Sequence, residues 1–364
     1  MKPSVFALAL LGSSMGSAWA QSSGNVHGVL DAGLVDERGC AGCGPRVASG
    51  VASQSRLGVS GSETLGDTIA AVFALEAGLL IDNGRSAPSG KLFGRQAYVG
   101  LQGKLGTVTV GRHLNLDYLT VTDVADPFQG GMAGSATNLI GGGDQGIDNS
   151  IQYVSRPSHG LSARAVYSPG ETVDYATSSV GNSREDRAWG VSIGFEKGPL
   201  TLRAAHQNRH VTQVAPAMPV GNRMDAKNSI IAANVRLGPG IAYAAYSSNR
   251  GWGSSPLWNP DNPYGAAIAS SPSTDSRDVL VGFALPRGAT TLLASFIRKN
   301  DRDLANRDAD QLAFGGTYAL SRQTDFYAAW SRIRNRNGAG YTVGNASDAG
   351  RGSSALNLGM RHAF

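Results

Sequence analysis

LFGRQAYVGLQGKLGTVTVGR, running from Leu92 to Arg112, is the stretch whose reading decides the fold. Apolar and small residues alternate along Leu92–Gly103, a Gly103-Lys104-Leu105-Gly106 turn follows, and the alternation resumes to Arg112. Two β-strands in a hairpin are the expected product. Working outward, Asn149–Arg156 reads as the next strand, and 34 residues, His113–Gly146, separate it from the hairpin. That segment holds seven glycines, the aspartates Asp117, Asp123, Asp126 and Asp144, and no Lys or Arg. A connection this long inside a compact unit is normally functional or disordered. Leu116, Leu119, Val121, Val124, Phe128, Met132, Leu139 and Ile140 give it apolar surface to pack with. Residues 113–146 are therefore expected to fold into the lumen of a transmembrane β-barrel and narrow a water-filled pore.

The rest of the chain repeats the same theme. Sixteen segments with period-two apolarity, each followed by a turn, run from Asn25–Asp36 to Ser354–Phe364. An even number of antiparallel strands with both chain ends on one rim is what a closed membrane barrel requires. Open sheet edges are not tolerated in lipid. The connections alternate in length: Gly103–Leu105, Gly198, Gly238-Pro239 and Ser321-Arg322 are short, whereas Glu37–Val51, Pro169–Arg187 and Arg250–Ser276 are long. Short periplasmic turns and long outer loops give that asymmetry. The fold predicted is all-β, a 16-stranded antiparallel transmembrane barrel. In its last strand Leu356, Leu358, Met360 and Phe364 share one face, and Asn357, Gly359 and Arg361 the other. Small, polar second faces of this kind predict a wet interior rather than a packed core. Leu292–Ile297 is apolar on both faces and gives no orientation. Trp189, Trp330, Tyr98, Tyr153, Tyr243 and Phe364 are candidates for aromatic girdles.

Bulk properties narrow the class further. Lys2, the apolar run Val5–Leu11 and Ala18-Trp19-Ala20 predict an export signal over residues 1–20, with the barrel over 21–364. No later segment has ~18 uninterrupted apolar residues, which excludes a helical membrane protein. The net charge is +5, but Lys and Arg are dispersed, so no nucleic-acid partner is expected. Cys40-Ala41-Gly42-Cys43 leaves two readings open, a small disulfide loop or two free thiols. Neither makes a metal site without His or Asp neighbours.

Parity places Arg56, Arg164, Arg203 and Glu76 toward the lumen, and Arg95 also, on a strand whose outward set is read as Gln96 and Tyr98. Arg112 shares parity with Val108 and Val110 and is expected to face a neighbouring subunit. Lumen arginines opposite Asp117, Asp123, Asp126 and Asp144 of the long loop would create a strong transverse field in a narrow throat. Enzymatic signatures are missing: the six histidines show no metal spacing, no G-x-S-x-G elbow occurs, and Gly141-Gly142-Gly143 has no strand–turn–helix context. No catalytic residue, cofactor or metal is expected. Two further readings stay open, a substrate-preferring channel in which Tyr118 and Phe128 contact a ligand, and a non-channel barrel such as an adhesin or translocator.

Several segments together resemble the general porins of Gram-negative outer membranes, in the branch typical of β-proteobacteria. They are Asn25-Val26-His27-Gly28-Val29-Leu30-Asp31-Ala32-Gly33, Ser55-Arg56-Leu57-Gly58-Val59-Ser60-Gly61, Phe93-Gly94-Arg95-Gln96-Ala97-Tyr98-Val99-Gly100-Leu101, Asn149-Ser150-Ile151-Gln152-Tyr153 and Gly359-Met360-Arg361-His362-Ala363-Phe364. The resemblance implies a homotrimer in the outer membrane, in contact with lipid and lipopolysaccharide, passing small hydrophilic solutes and ions. It also implies that Arg56 and Arg95 belong to a basic cluster facing the third long loop. The terminal Phe364 is similar to the signal by which barrel-assembly machinery recognises that family. Two departures stand out: His27 replaces a usual Tyr, and Gly146-Ile147-Asp148 stands where a further arginine is common. The second weakens the expected preference for anions to a modest lean.

Overall fold

The computed structural model describes residues 22–87, 91–141, 146–170, 172–174, 179–181, 187–210, 225–254 and 273–364. The predicted export segment 1–20 and Asp144 lie outside the described residues. Within them, sixteen strands form the wall. The first eight are β1 (Ser22–Arg38), β2 (Arg56–Thr64), β3 (Ala70–Leu80), β4 (Gln96–Gly103), β5 (Gly106–Leu114), β6 (Gly146–Ser155), β7 (Leu161–Ser168) and β8 (Ala188–Lys197). The second eight are β9 (Leu200–Arg209), β10 (Ala226–Leu237), β11 (Gly240–Arg250), β12 (Asp275–Arg287), β13 (Thr290–Asp301), β14 (Ala309–Ala319), β15 (Thr324–Asn335) and β16 (Ser354–Ala363). Each pairs antiparallel with the next, and β16 pairs back onto β1 through Leu34↔Leu358, so the cylinder is closed. Closure removes the unpaired edge that lipid would not tolerate. Gly198, Gly238 and Gly288 take positive φ in three of the short turns, where a side chain would be strained.

The seam is finished by the last residue. Phe364 exchanges two backbone hydrogen bonds with Gly28, both 3.0 Å, and its ring lies where a Cβ at position 28 would be. Outside, the wall presents Leu57, Val59, Val191, Ile193, Phe314, Trp330 and Leu358 as an exposed apolar surface far larger than a water-soluble monomer carries. That surface suits hydrocarbon.

Register corrects the reading of β4. Gln96 pairs with Glu76, and cross-strand partners share a face, so Gln96 and Tyr98 point inward. The outward residues are Val99 and Leu101, 56% and 53% exposed. Tyr98 stacks on buried His113 at 5.2 Å between ring centres and belongs to no outer girdle. Tyr243 is likewise packed on the interior, and Tyr246 of the same strand is exposed instead.

The interior is only partly wet, which corrects the expectation drawn from its small residues. Those residues are sockets. A Cβ at Gly315 would meet the Phe128 ring at 2.9 Å, and one at Gly282 would meet Pro127 at 2.8 Å. Phe128, Met132, Leu139 and Ile140 of the long loop pack with Leu280, Leu293, Ile297 and Ile333 of the wall into one buried cluster. This also explains the ambiguity of Leu292–Ile297: Leu292 and Phe296 face out, while Leu293 and Ile297 face the loop.

Candidate functional site

The long loop begins with a helical turn, α1 (Leu116–Thr120), continues through a wide turn at Val121–Ala125, and tightens again at Ala136–Asn138. Asn115 caps α1 by accepting from the amides of Asp117 and Tyr118. Side chains of the wall then strap the loop inside the barrel. Asn234 donates to the Val124 carbonyl at 3.1 Å, Gln311 to those of Gly134 and Ser135, and Lys299 to that of Leu139 at 3.0 Å. These straps place wall donors on loop carbonyls that are turned away from water. Lys299 is itself fully buried and paired with buried Asp278 at 3.2 Å.

Opposite the loop stands a charged wall. Glu76 lies between two guanidiniums and an imidazole: Arg95 Nε at 2.6 Å, Arg56 Nε at 3.5 Å and His27 Nε2 at 3.5 Å. Arg56 Nη1 also donates to Ser53 Oγ and the Gln54 carbonyl, 3.1 Å each, and Arg95 Nη1 to Gln54 Oε1. Arg95 reaches the lumen because it precedes β4 in a bend, where strand parity no longer applies. The parity argument for it fails, although its side chain does lie inside.

Between wall and loop is a cavity of about 500 Å³, lined on one side by Arg56, Arg95 and Gln54 and on the other by Tyr118, Thr122, Asp123 and Gln129. Arg164 and Arg203 point inward on β7 and β9, the two strands that flank β8. Arg203 binds Asp123 at 2.9 Å and the Leu119 carbonyl at 3.1 Å, so it anchors the loop as well as charging the lumen.

Two aspartates do not line the cavity. Asp126 is buried inside the loop and accepts from the amides of Phe128, Gly130 and Ala136 at 2.8–2.9 Å. It shapes the turn rather than facing the pore. Burial raises its carboxyl to about 6 even against those donors. Asp117 is buried in α1, neither oxygen has a hydrogen-bond partner among the described residues, and burial holds its carboxyl well above the usual range. Phe128 is in the loop core, which removes it as a ligand contact, whereas Tyr118 stays on the cavity. Arg112 is folded onto its own chain, donating to the Gly94 carbonyl and pairing with Asp148, after the register shifts between Gly111 and His113. The alternation along β5 survives that shift, whose extra residue lies on β6: Arg112 pairs with Ala97 on the outward face of Val99 and Val110, as parity predicts, and its guanidinium is held by these partners of its own chain.

Cys40 and Cys43 are joined as a disulfide. The one potential metal-ligand grouping among the described residues, Glu37 with these sulfurs, is thereby occupied, and Glu37 instead binds Arg46 and the Arg351 amide.

Asp31 carries no expected role in the sequence reading. It sits on β1, fully buried, and accepts from the consecutive amides of Val51, Ala52 and Ser53 at 2.8–3.0 Å and from Tyr327 Oη at 2.7 Å. An acidic residue on an inward face was the available signal, but its partners are far apart in sequence.

Comparison with known proteins sharpens this picture. A family model described as Gram-negative porin matches residues 7–338. An outer membrane porin protein of Bordetella pertussis is 27% identical over 413 aligned positions, and outer membrane porin protein 32 of Delftia acidovorans 27% over 386; each alignment covers all of both chains. Among solved structures, an anion-selective porin from Comamonas acidovorans superposes with a TM-score of 0.73 at 22% identity, covering 94% of this chain and 100% of that one.

Proposed function

This chain belongs to the Gram-negative porin family, whose members named above are outer-membrane porins, and from that premise we propose how its pore selects what it passes. Small hydrophilic solutes and ions diffuse passively through the lumen. The constriction is the gap between Arg56 and Arg95 on one wall and Tyr118 and Asp123 on the loop. Four inward guanidiniums, Arg56, Arg95, Arg164 and Arg203, meet two carboxylates, Glu76 and Asp123. The positive excess lowers the barrier for anions and raises it for cations. The observation that carries the reading is the cavity of about 500 Å³ with guanidiniums on one side and the loop on the other.

The remaining assignments follow the family. Residues 1–20 direct export, Phe364 marks the chain for barrel assembly, and three copies associate. The name of the relative from Comamonas acidovorans agrees in sign with the selectivity proposed here. Planar-bilayer recording in a salt gradient tests the proposal. Ohmic steps with a zero-current potential of anion sign are expected. A silent bilayer would point to a non-channel barrel, and saturable block by one solute to a substrate-preferring channel.

A further inference from the structure

Asp31 is not in contact with the constriction, yet the groups that hold both constriction arginines depend on it. Its carboxylate gathers three successive amides, Val51, Ala52 and Ser53, and so folds the end of the first long connection inward. Successive N–H groups converging on one anion form a strong, directional clamp. Backbone and hydroxyl bonds reinforce it: the Asp31 carbonyl accepts from the Gly50 amide at 2.7 Å and from Ser55 Oγ at 3.0 Å. The folded segment has two outputs. Ser53 Oγ and the Gln54 carbonyl take Arg56 Nη1, and the Gln54 side chain takes Arg95. On its other side, the Val51 carbonyl accepts the Met132 amide of the pore loop at 2.7 Å and the Ala346 amide of the last long connection at 3.2 Å. Gly131 of the loop passes so close to the Ala52 carbonyl that a Cβ there has no space. Tyr327, across the seam on β15, closes the clamp.

We propose that Asp31 is a positioning residue for ion selection: by clamping residues 51–53 it sets where Arg56 and Arg95 stand relative to the pore loop. The proposal rests on the constriction assigned above. It makes a prediction whose sign separates it from a direct charge effect. Removing a carboxylate from the interior of an anion-preferring pore should, by charge alone, strengthen anion preference. Loss of positioning does the reverse, because the arginines lose their supports and the loop loses its seat.

Zero-current potentials of the purified protein in a salt gradient decide between these. Asp31→Asn is expected to lower the anion-over-cation permeability ratio about twofold, and Tyr327→Phe, which changes no charge, to lower it by less. Combined with Gln54→Ala, Asp31→Asn should add little to the effect of Gln54→Ala alone, since both act through the same segment. An unchanged or increased ratio in Asp31→Asn, or full additivity with Gln54→Ala, overturns the proposal. Should Asp31→Asn not assemble, Tyr327→Phe and its combination with Gln54→Ala carry the same decision. A wild-type protein that conducts but shows no effect of Arg56→Glu would defeat the constriction reading itself, and this inference with it. Normal sensitivity to Arg56→Glu with no response to Asp31 or Tyr327 variants defeats this inference alone.

Discussion

The two halves of the barrel interior are built on opposite principles. Behind the loop, β12 to β15 and the loop share a dry core in which Phe128, Leu139, Leu280, Ile297 and Ile333 exclude water, and an ion pair, Lys299 with Asp278, is completely buried. Across the cavity, Arg56, Arg95 and Glu76 form a pair network at the edge of that water-accessible space of about 500 Å³. Charges in the first half hold structure, because a buried ion must be paired and hydrogen-bonded to persist. Charges in the second half act on what passes, because they border solvent in a narrow throat. Net charge alone does not separate the two classes; what separates them is whether the loop covers them.

Removing the loop is the strongest way to erase that contrast. Deletion within Asp123–Gly143 should raise single-channel conductance about twofold or more and expose Leu280, Ile297 and Ile333 to water. Lower thermal stability of the folded barrel should accompany it. Unaltered conductance in a folded variant would mean that the loop does not obstruct the pore. A smaller intervention acts on the dry half only. Lys299→Ala strands the buried Asp278 carboxylate and releases the Leu139 carbonyl, at a cost of about 3–5 kcal/mol read as a drop in thermal midpoint. Selectivity should change little, since Lys299 is sealed from the cavity.

The gentlest intervention is a change of pH. Asp126 titrates near 6 in the fold and near 3.8 in the open chain, so the folded state binds more protons between those values. Its contribution to stability is therefore most favourable below about pH 4 and is lost as pH rises through about 6. Thermal midpoints of wild type should fall across that window relative to Asp126→Asn. Parallel curves would show that the carboxyl does not titrate there.

Most of the wall was legible from alternation and turn chemistry, because strand period and connection length are local properties. Orientation failed where the chain was irregular: Arg95 lies in a bend before β4, so its side chain turns inward outside the strand's alternation. The wet-interior reading failed because Gly315 and Gly282 look alike whether they face water or a ring from the loop. In the sequence Asp126 looks like a pore charge, because nothing in its neighbours along the chain reveals three amides turning toward it. Asp31 has no local signature for the same reason: Tyr327 comes to it only when the barrel closes. Patterns of two residues survive translation into structure, and contacts made by closure do not announce themselves.

The account stands on the arginine pair facing the loop. Measuring the zero-current potential of Arg56→Glu/Arg95→Glu beside wild type, in the same salt gradient, tests it most directly. Wild type should give the sign of an anion-preferring pore and the double variant should move toward cation preference. Identical potentials from two conducting, folded proteins would contradict it.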